Sequence, residues 1–205
     1  LTFLLTVFTD LTTGVSVGLL LAFLLFIGKM SKSLRVRKVL PDPVDSYVKS
    51  DIVANGKNCP QISIFTVEGP LFFGTIKEFE TSIEASLQSN AHILLLRMGN
   101  VSFMDTSAES AVEHIRKKML EKQGTLLISG IQHQPKEIFH QTGLYERIGE
   151  PHFFTRTGVA LHFALQELEI SKCKGCKQFA FQECTTLSGQ SAESDKKRSP
   201  LEINM

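Results

Sequence analysis

The sequence predicts an α/β fold in which an N-terminal transmembrane helix is followed by a small mixed β-sheet with about four helices. Three observations lead to this prediction. From Thr2 to Gly28 the chain carries a single charged residue, Asp10, whereas the segment that follows is strongly basic. Beyond residue 61, short apolar runs typical of strands alternate with segments whose apolar residues recur every three or four positions, as in amphipathic helices. The order of these elements, β-β-α-β-α-β-α-(β)-α, is typical of a sheet with helices packed on its faces.

The apolar N-terminal segment is expected to be the end of a membrane domain covering residues 1–30. Its last helix is predicted over about 11–30, because about 20 apolar residues are needed to cross the hydrocarbon core of a bilayer. The chain begins with Leu1 rather than Met, so we expect it to be the C-terminal piece of a longer protein. Two alternatives remain. A signal peptide would need a basic region before the apolar run, and a core helix of a soluble protein would more often show a polar face.

A basic cluster follows the apolar segment. Between residues 29 and 38 there are five basic residues and no acidic one, namely Lys29, Lys32, Arg35, Arg37 and Lys38. Positive residues beside a membrane helix stay on the cytoplasmic side and are attracted to anionic headgroups. We therefore expect the basic cluster to lie at the membrane surface and the rest of the chain to be cytosolic. Because Pro41 and Pro43 cannot both lie inside a helix, residues 31–60 are predicted to be a basic, proline-containing linker.

The folded domain is predicted over 61–170, and its strands come from apolar alternation or from short apolar runs. The run Ala91–Met98 is almost continuously apolar, which is typical of a central strand covered on both faces. The predicted strands are Ile62–Val67, Leu71–Phe73, Ala91–Met98, Thr125–Ser129 and the short Phe153–Phe154.

Two of the helices are predicted from capping boxes, in which a Thr at the helix start is followed three residues later by a Glu. These pairs are Thr75 with Glu78 and Thr106 with Glu109. The other helices are predicted around Lys136–Thr142 and over Thr157–Glu169. The last segment, 171–205, is rich in Lys, Ser and Gln with little periodicity, so we expect most of it to be poorly ordered.

Two parts of the chain resemble one family in the same order. Phe3–Leu11 and Leu25–Met30 resemble the last membrane segments of the SulP family of anion transporters. Ile64–Gly74 and Val101–Ser107 resemble the STAS domain that ends those transporters and that also occurs alone as bacterial anti-sigma-factor antagonists. The first segment is similar to the paired opening strands of that domain, and the second to its Asp-Ser/Thr loop. The resemblance covers about Thr2 to Leu168 and implies a STAS-like fold.

The resemblance implies a function as well. The chain would be the C-terminal part of a secondary-active inorganic anion transporter of the sulfate type, with the STAS domain serving cytosolic regulation or assembly. The implied partners are the lipid bilayer, an inorganic anion bound by helices upstream of Leu1, and a homodimer mate or a cytosolic protein. The implied location is an integral membrane protein of the cell or inner membrane with a cytoplasmic STAS domain. The alternative is a membrane-tethered STAS signalling module that acts as a phospho-switch.

The loop Asp105-Thr106-Ser107 is the candidate regulatory site. In stand-alone STAS proteins the hydroxyl residue after the Asp is phosphorylated by a partner kinase, and the resemblance places Thr106 at that position. A phosphate at a helix N-terminus would meet free N–H groups. The other interpretation is that Thr106 only caps the helix, with Glu109 as its reciprocal partner. Ala108 stands where the family usually has Gly.

The cysteines give three candidate metal ligands, Cys173, Cys176 and Cys184, in a CxxC pair and a third thiol. A zinc site needs a fourth ligand, for which Cys59 or a His is available, and reduced surface thiols are the alternative. We therefore assign no metal or other cofactor. The sequence also shows no phosphate-binding Gly-rich loop, no nucleophile elbow and no HExxH-type His pair, so no enzyme activity is expected. It has no basic-aromatic face for nucleic acid.

Overall fold

The computed structural model describes part of the chain, and within the first helix it describes the side chains of 12–26. The described ranges are 11–31, 34–38, 59–87, 91–174, 176–177, 180–181 and 184.

A five-stranded mixed sheet forms the centre of the domain, with its strands in chain order β1-β2-β3-β4-β5. β1 runs antiparallel to β2, and the remaining neighbours are parallel. Parallel neighbours need crossover connections, and helices supply these between β2 and β5. The strands are β1 Arg35–Lys38, β2 Ile62–Glu68, β3 Ile93–Asn100, β4 Thr125–Ser129 and β5 Phe153–Phe154.

Seven α-helices lie in the described residues, with short 3₁₀ turns at Phe73–Thr75 and Glu150–His152. Gly143, with φ 72°, ends the fourth helix in the left-handed conformation, which glycine adopts without a Cβ clash. The mixed α/β architecture confirms the predicted fold class. The helices are α1 Leu11–Ser31, α2 Ile76–Leu87, α3 Thr106–Glu121, α4 His133–Thr142, α5 Leu144–Ile148, α6 Thr157–Gln166 and α7 Ile170–Cys173.

Each face of the sheet has its own core, because successive side chains of a strand point to opposite faces. On β3, Leu94 and Leu96 enter the first core, which α2, α3, α4 and α5 cover. Ile93 and Leu95 of the same strand enter the second core, against Ala160 of α6. β3 is therefore the central strand that its continuous apolar run predicts.

β1 is the largest difference from the sequence-based expectation, since Arg35–Lys38 lies within the predicted linker 31–60. Arg35 pairs with Glu68 and Lys38 with Phe65 along β2. The basic residues and the two prolines that follow them predict a linker, but an edge strand tolerates charged residues on its solvent side. Leu34, just before β1, is 2% exposed and packs in the first core.

Two local predictions around the first crossover were wrong. Leu71–Phe73 is not a second strand: Leu71 makes a single bridge to Met104, and a 3₁₀ turn follows at once. Thr75 ends that turn, and its hydroxyl accepts a hydrogen bond from the Phe72 N–H at 3.0 Å. Thr75 therefore stabilises the turn before α2, whereas the sequence predicted it as the cap of that helix with Glu78.

A helix is present where the sequence predicts the last membrane helix, at Leu11–Ser31. Among the residues that the structure describes, no helix is both long enough and apolar enough to cross a membrane. The predicted membrane span covers about residues 11–30, but the structure describes the side chains of α1 only for residues 12–26. Lys32, Pro41 and Pro43 lie outside the described residues, as do the side chain of Lys29 and the segment Phe3–Leu11 apart from the backbone of Leu11.

The segment after α6 differs from the predicted poorly ordered tail in its described part. α6 ends at Gln166, and α7 follows at Ile170–Cys173. Phe181 is 7% exposed and belongs to the second core, with Cys173 and Cys184 packed against it. Part of the predicted tail therefore closes the second face of the sheet.

Candidate functional site

The Asp105-Thr106-Ser107 loop is held by contacts on both sides of it. After β3, Val101 and Met104 enter the first core and anchor the chain. The Gln134 amide of α4 accepts from the Met104 N–H at 2.8 Å and donates to the Met104 carbonyl at 2.9 Å. The Leu71 N–H donates to the carbonyl of Phe103 at 2.9 Å. The loop is therefore fixed relative to α2 and α4.

Asp105, rather than Thr106, caps α3. One carboxylate oxygen, Oδ1, accepts from the Ala108 N–H at 2.8 Å, and the other, Oδ2, accepts from the Phe73 N–H at 3.0 Å. Asp105 is extended, with φ −105° and ψ 175°, as an N-cap residue should be. The predicted capping box of Thr106 with Glu109 was wrong, because the Asp one residue earlier already reaches the free N–H of the first turn.

Thr106 and Ser107 occupy the first turn of α3, and Thr106 is exposed. Two aromatic rings are exposed beside them, since Phe73 is 80% and Phe103 is 48% accessible. Both rings are tied to the site through the backbone: Asp105 accepts from the Phe73 N–H, and Phe103 lies within the loop. Thr106 and Phe103 of the loop are thus exposed, and Asp105 bonds the loop to the turn that carries the exposed Phe73 ring. The role of Thr106 as a phosphosite stays a prediction.

An ion-pair network joins α3 to α5 behind the loop, and the sequence analysis did not identify it. Arg116 binds Glu113 through two hydrogen bonds of 2.6 and 2.9 Å. Arg147 of α5 reaches Glu113 at 3.4 Å and the buried Glu109 at 3.2 Å. The hydrogen bond from Arg116, with the nearby positive charges, lowers the pKa of Glu113. The i,i+3 spacing of Glu113 and Arg116 on α3 was a visible signal, but the contribution of α5 depends on the tertiary fold.

The basic cluster is only partly brought together in the described residues. Arg35 and Arg37 lie exposed on β1, and Lys38 is half-buried at its end. Burial lowers the pKa of Lys38. Three of the five basic residues thus form one edge of the sheet, and their role at a membrane surface stays a prediction.

The cysteines converge from two distant parts of the chain. Cys59 joins the three candidates Cys173, Cys176 and Cys184 around one cavity of about 20 Å³. Gln61 lies beside it and donates to the sulfur of Cys173 at 3.4 Å. All four thiols are free, and burial raises the pKa of Cys59 and of Cys173.

Within the described part of the chain, no three His, Cys, Asp or Glu side chains are arranged to hold a metal ion. From the sequence, Cys59 was only one of the residues available as a fourth zinc ligand. Its proximity to the other cysteines could not be predicted, because β2 and α7 are brought together by the second core and not by sequence spacing.

Comparisons with known proteins agree with this fold. The sequence model of the STAS domain matches residues 55–160. The chain is 42% identical over 153 residues to a Bacillus subtilis (strain 168) protein named putative sulfate transporter YvdB, covering 75% of this chain and 27% of that protein. It is 24% identical over 148 residues to the bicarbonate transporter BicA of Picosynechococcus sp. (strain ATCC 27264 / PCC 7002 / PR-6), covering 71% of this chain and 26% of that protein.

A solved structure shows the same fold. The murine Solute Carrier 26 family member A9 anion transporter, in the inward-facing state, superposes with a TM-score of 0.69 at 22% identity, over 81% of this chain and 28% of that one. The chain therefore spans about a quarter of the length of the relatives that it matches. All three of these proteins are named as transporters.

Proposed function

This chain belongs to the STAS domain family, and we propose that it is the C-terminal part of a secondary-active inorganic anion transporter in which the STAS domain serves cytosolic regulation or assembly. The observation that carries the proposal is the 42% identity to the sulfate transporter relative, which extends over 75% of this chain. That match is longer than the STAS match at 55–160. The similarity to a transporter therefore includes sequence outside the STAS match itself.

The surface of α1 supports a location in an integral membrane protein. Its described side chains leave a long apolar surface without partners, and such a surface needs apolar surroundings. The basic residues that follow α1 favour a cytoplasmic position for everything after it. We propose that α1 packs with lipid and with the membrane domain of the longer protein. The exposed residues are Val15, Leu19, Leu20, Leu21, Phe23, Leu24, Leu25 and Phe26.

The connection between α1 and the sheet supports a regulatory role. Only three residues separate Ser31, the end of α1, from Arg35, the start of β1, and they can span at most about 14 Å. β1 is itself paired with β2 along the sheet. A partner that moved the sheet would therefore move the end of α1 as well, whereas a long flexible linker would absorb the motion. The substrate would be bound by helices that precede this chain.

Anion uptake tests the proposal. The reading frame containing this chain is expressed in cells that lack their own sulfate and bicarbonate uptake, and labelled anion is measured per transporter at the membrane. We expect uptake of at least one of these anions above the empty vector, and reduced uptake or surface expression when the chain ends after Ser31. A protein at the membrane that carries neither anion, with or without the STAS domain, would contradict the proposal.

A second candidate function is favoured by one observation, the exposed hydroxyl of Thr106 at the start of α3. In this alternative the STAS domain is a membrane-tethered phospho-switch for a protein partner. Mass spectrometry of the protein from its own cells would detect phosphate on Thr106. Thr106→Ala and Thr106→Asp should then give opposite phenotypes at equal expression, since Asp imitates part of the phosphate charge. This function would be excluded if Thr106 carried no phosphate under any growth condition and if Thr106→Ala and Thr106→Asp both left the phenotype unchanged.

A further inference from the structure

The chain passes from α1 into the sheet at one particular edge. Arg35 begins β1 and pairs with Glu68 at the end of β2, because these two strands are antiparallel. β3, β4 and β5 run parallel to β2, so the ends of all four strands meet at that edge, here called the carboxyl edge. Three residues separate Arg35 from Ser31, the end of α1, and they span at most about 14 Å. The carboxyl edge is therefore tied closely to the end of α1.

Two exposed aromatic rings lie at the carboxyl edge. Phe73, in the 3₁₀ turn after β2, is 80% exposed, and Phe103, in the loop after β3, is 48% exposed. Their segments are joined, since the Leu71 N–H donates to the Phe103 carbonyl at 2.9 Å and Asp105 accepts from the Phe73 N–H at 3.0 Å. Among the described residues after α1, these are the two phenylalanines that are exposed. Both exposed rings are thus at the edge that α1 enters.

We propose that the carboxyl edge is a membrane-contact surface, in which Phe73 and Phe103 enter the lipid interface beside the end of α1. The inference rests on the proposed function, in which α1 is a membrane helix. With α1 in the bilayer, the short connection holds this edge near the headgroups. An exposed aromatic ring is stabilised at the boundary between headgroups and acyl chains, because its apolar surface leaves water there.

The charges at the carboxyl edge are compatible with anionic lipid. Exposed basic side chains lie there, namely Arg35 on β1, Lys77 in the first turn of α2 and Arg156 just before α6. Within the described residues none of these three forms an ion pair. Glu68 and Glu78 lie at the same edge, and both carboxylate oxygens of Asp105 already accept backbone hydrogen bonds. The basic side chains are therefore available to anionic headgroups, which attract them.

The opposite edge of the sheet offers matched positions for comparison. Leu120, at the end of α3 just before β4, is 55% exposed, and Ile170, at the start of α7, is 56% exposed. The Glu169 N–H beside Ile170 donates to the Gln61 side chain at 3.0 Å, which places α7 at the beginning of β2. These two apolar side chains are at least as exposed as Phe103. Because they lie at the edge away from α1, they should stay in water.

A fluorescent probe tests the contact, because the chain contains no tryptophan and one substitution supplies a unique indole. The 205-residue chain is reconstituted through α1 into vesicles of phosphatidylcholine and phosphatidylglycerol with brominated acyl chains, and into matched unbrominated vesicles. Bromine quenches indole fluorescence only at short range. Phe73→Trp and Phe103→Trp should each lose about half of their fluorescence in the brominated vesicles, since interfacial rings lie about 5–10 Å into the headgroup–acyl boundary.

Leu120→Trp and Ile170→Trp are the matched controls. Each should lose less than about a tenth of its fluorescence, because an indole in water lies outside that boundary. All four substituted side chains are exposed, so the variants should fold, and urea denaturation of each variant checks this. Flotation of the vesicles in a density gradient measures whether the chain is bound to them.

The outcomes separate this inference from the proposed function. A chain that does not float with the vesicles would overturn the membrane location of α1 and this inference together. A chain that floats, but whose Phe73→Trp and Phe103→Trp indoles are quenched no more than that of Leu120→Trp, would overturn the inference alone. The exposed rings would then be left for a protein partner or for the membrane domain of the longer protein. Strong quenching at all four positions would also overturn it, because the domain would then lie on the bilayer without a preferred edge.

Discussion

The two faces of the sheet are closed in different ways. The first face is covered by four helices, all of which lie between parallel strands, and its core contains fully buried rings such as Phe79 and Phe139. The second face is covered mainly by α6, whose core residues are the small Ala160 and Ala164. Its outer part is completed by Phe181 and the cysteines, which come from beyond that helix.

This difference indicates which face of the sheet should keep its helices in place and which face should open locally. Helices that connect neighbouring strands cannot leave the first face without disrupting the sheet. A terminal segment can leave the second face while the strands stay paired, and such local openings need less free energy than global unfolding. The first face should therefore determine whether the domain folds, and the second should be the place where a ligand or partner changes its stability.

The largest expected effect is a truncation in the first core. Phe79→Ala removes a fully buried ring of α2 and leaves a cavity, so the free energy of unfolding should fall by about 3–5 kcal/mol. Urea denaturation of the 205-residue chain measures the loss. Phe73→Ala is the matched control, because this ring is 80% exposed in the preceding turn, and it should cost less than about 0.5 kcal/mol. Equal losses in both variants would contradict the described packing of α2.

The corresponding change on the second face should cost less and act locally. Phe181→Ala should lower the free energy of unfolding by about 2 kcal/mol or less, because the segment can detach without unfolding the sheet. Amide hydrogen exchange should become faster in α7 and around Cys59, while β3 and β4 keep their protection. A loss of unfolding free energy as large as that of Phe79→Ala, with faster amide exchange throughout the domain, would contradict the expected difference between the two faces of the sheet.

Acid should destabilise the packing of helices on the first face, because Glu113 of α3 then loses its charge. Its pKa is lowered in the folded state, so its contribution is present at neutral pH and is lost as the pH falls through the folded pKa. Glu113→Gln should cost about 0.5–1.5 kcal/mol at pH 7, and the difference should vanish at strongly acid pH. Thermal melts across that range measure it. Glu137→Gln, on an exposed side chain of α4, is the control and should change the free energy of unfolding at pH 7 by less than about 0.5 kcal/mol.

The smallest expected effect is that of Thr106→Ala at the start of α3, which is compared with substitution of the cap residue Asp105. Asp105→Ala removes the two carboxylate oxygens that accept from the N–H groups of Ala108 and Phe73, and it should cost about 1–2 kcal/mol. Asp105→Asn keeps one acceptor oxygen and should recover only part of this loss. Thr106→Ala should stay within about 0.5 kcal/mol, because Thr106 is exposed and is not the cap. Melting of the three variants tests the assignment. A larger loss for Thr106→Ala than for Asp105→Ala would restore the cap predicted from the sequence.

Sequence patterns predicted a strand correctly where all of its residues share one environment, such as burial on both faces. The strand Thr125–Ser129 was predicted to the residue and β3 within two residues at each end, because burial on both faces leaves a continuous apolar signal. β1 could not be predicted in this way. Its three basic side chains indicate solvent, and only the pairing with β2, about 30 residues later, shows that it is a strand.

The candidate sites were likewise predicted where the signal is local and missed where it depends on the tertiary fold. The position of the Asp105 loop followed from its place before an amphipathic helix, but the cap was assigned one residue too late, since Asp and Thr are both good N-cap residues. The convergence of Cys59 with Cys173 depends on contacts between segments more than 100 residues apart. No local pattern carries that information, and the same holds for the contribution of Arg147 to the ion-pair network.

The position of β1 has a practical consequence for anyone who would isolate the domain. The STAS match begins at residue 55, so a chain cut there would lose β1 and with it Leu34 from the first core. The free edge of β2 would then expose a row of unpaired N–H and C=O groups, and such an edge recruits strands from other molecules. The arginines of β1 discourage that recruitment in the intact protein. A boundary chosen from the family match would thus produce a protein prone to aggregate, whereas one placed before Leu34 would keep the edge protected.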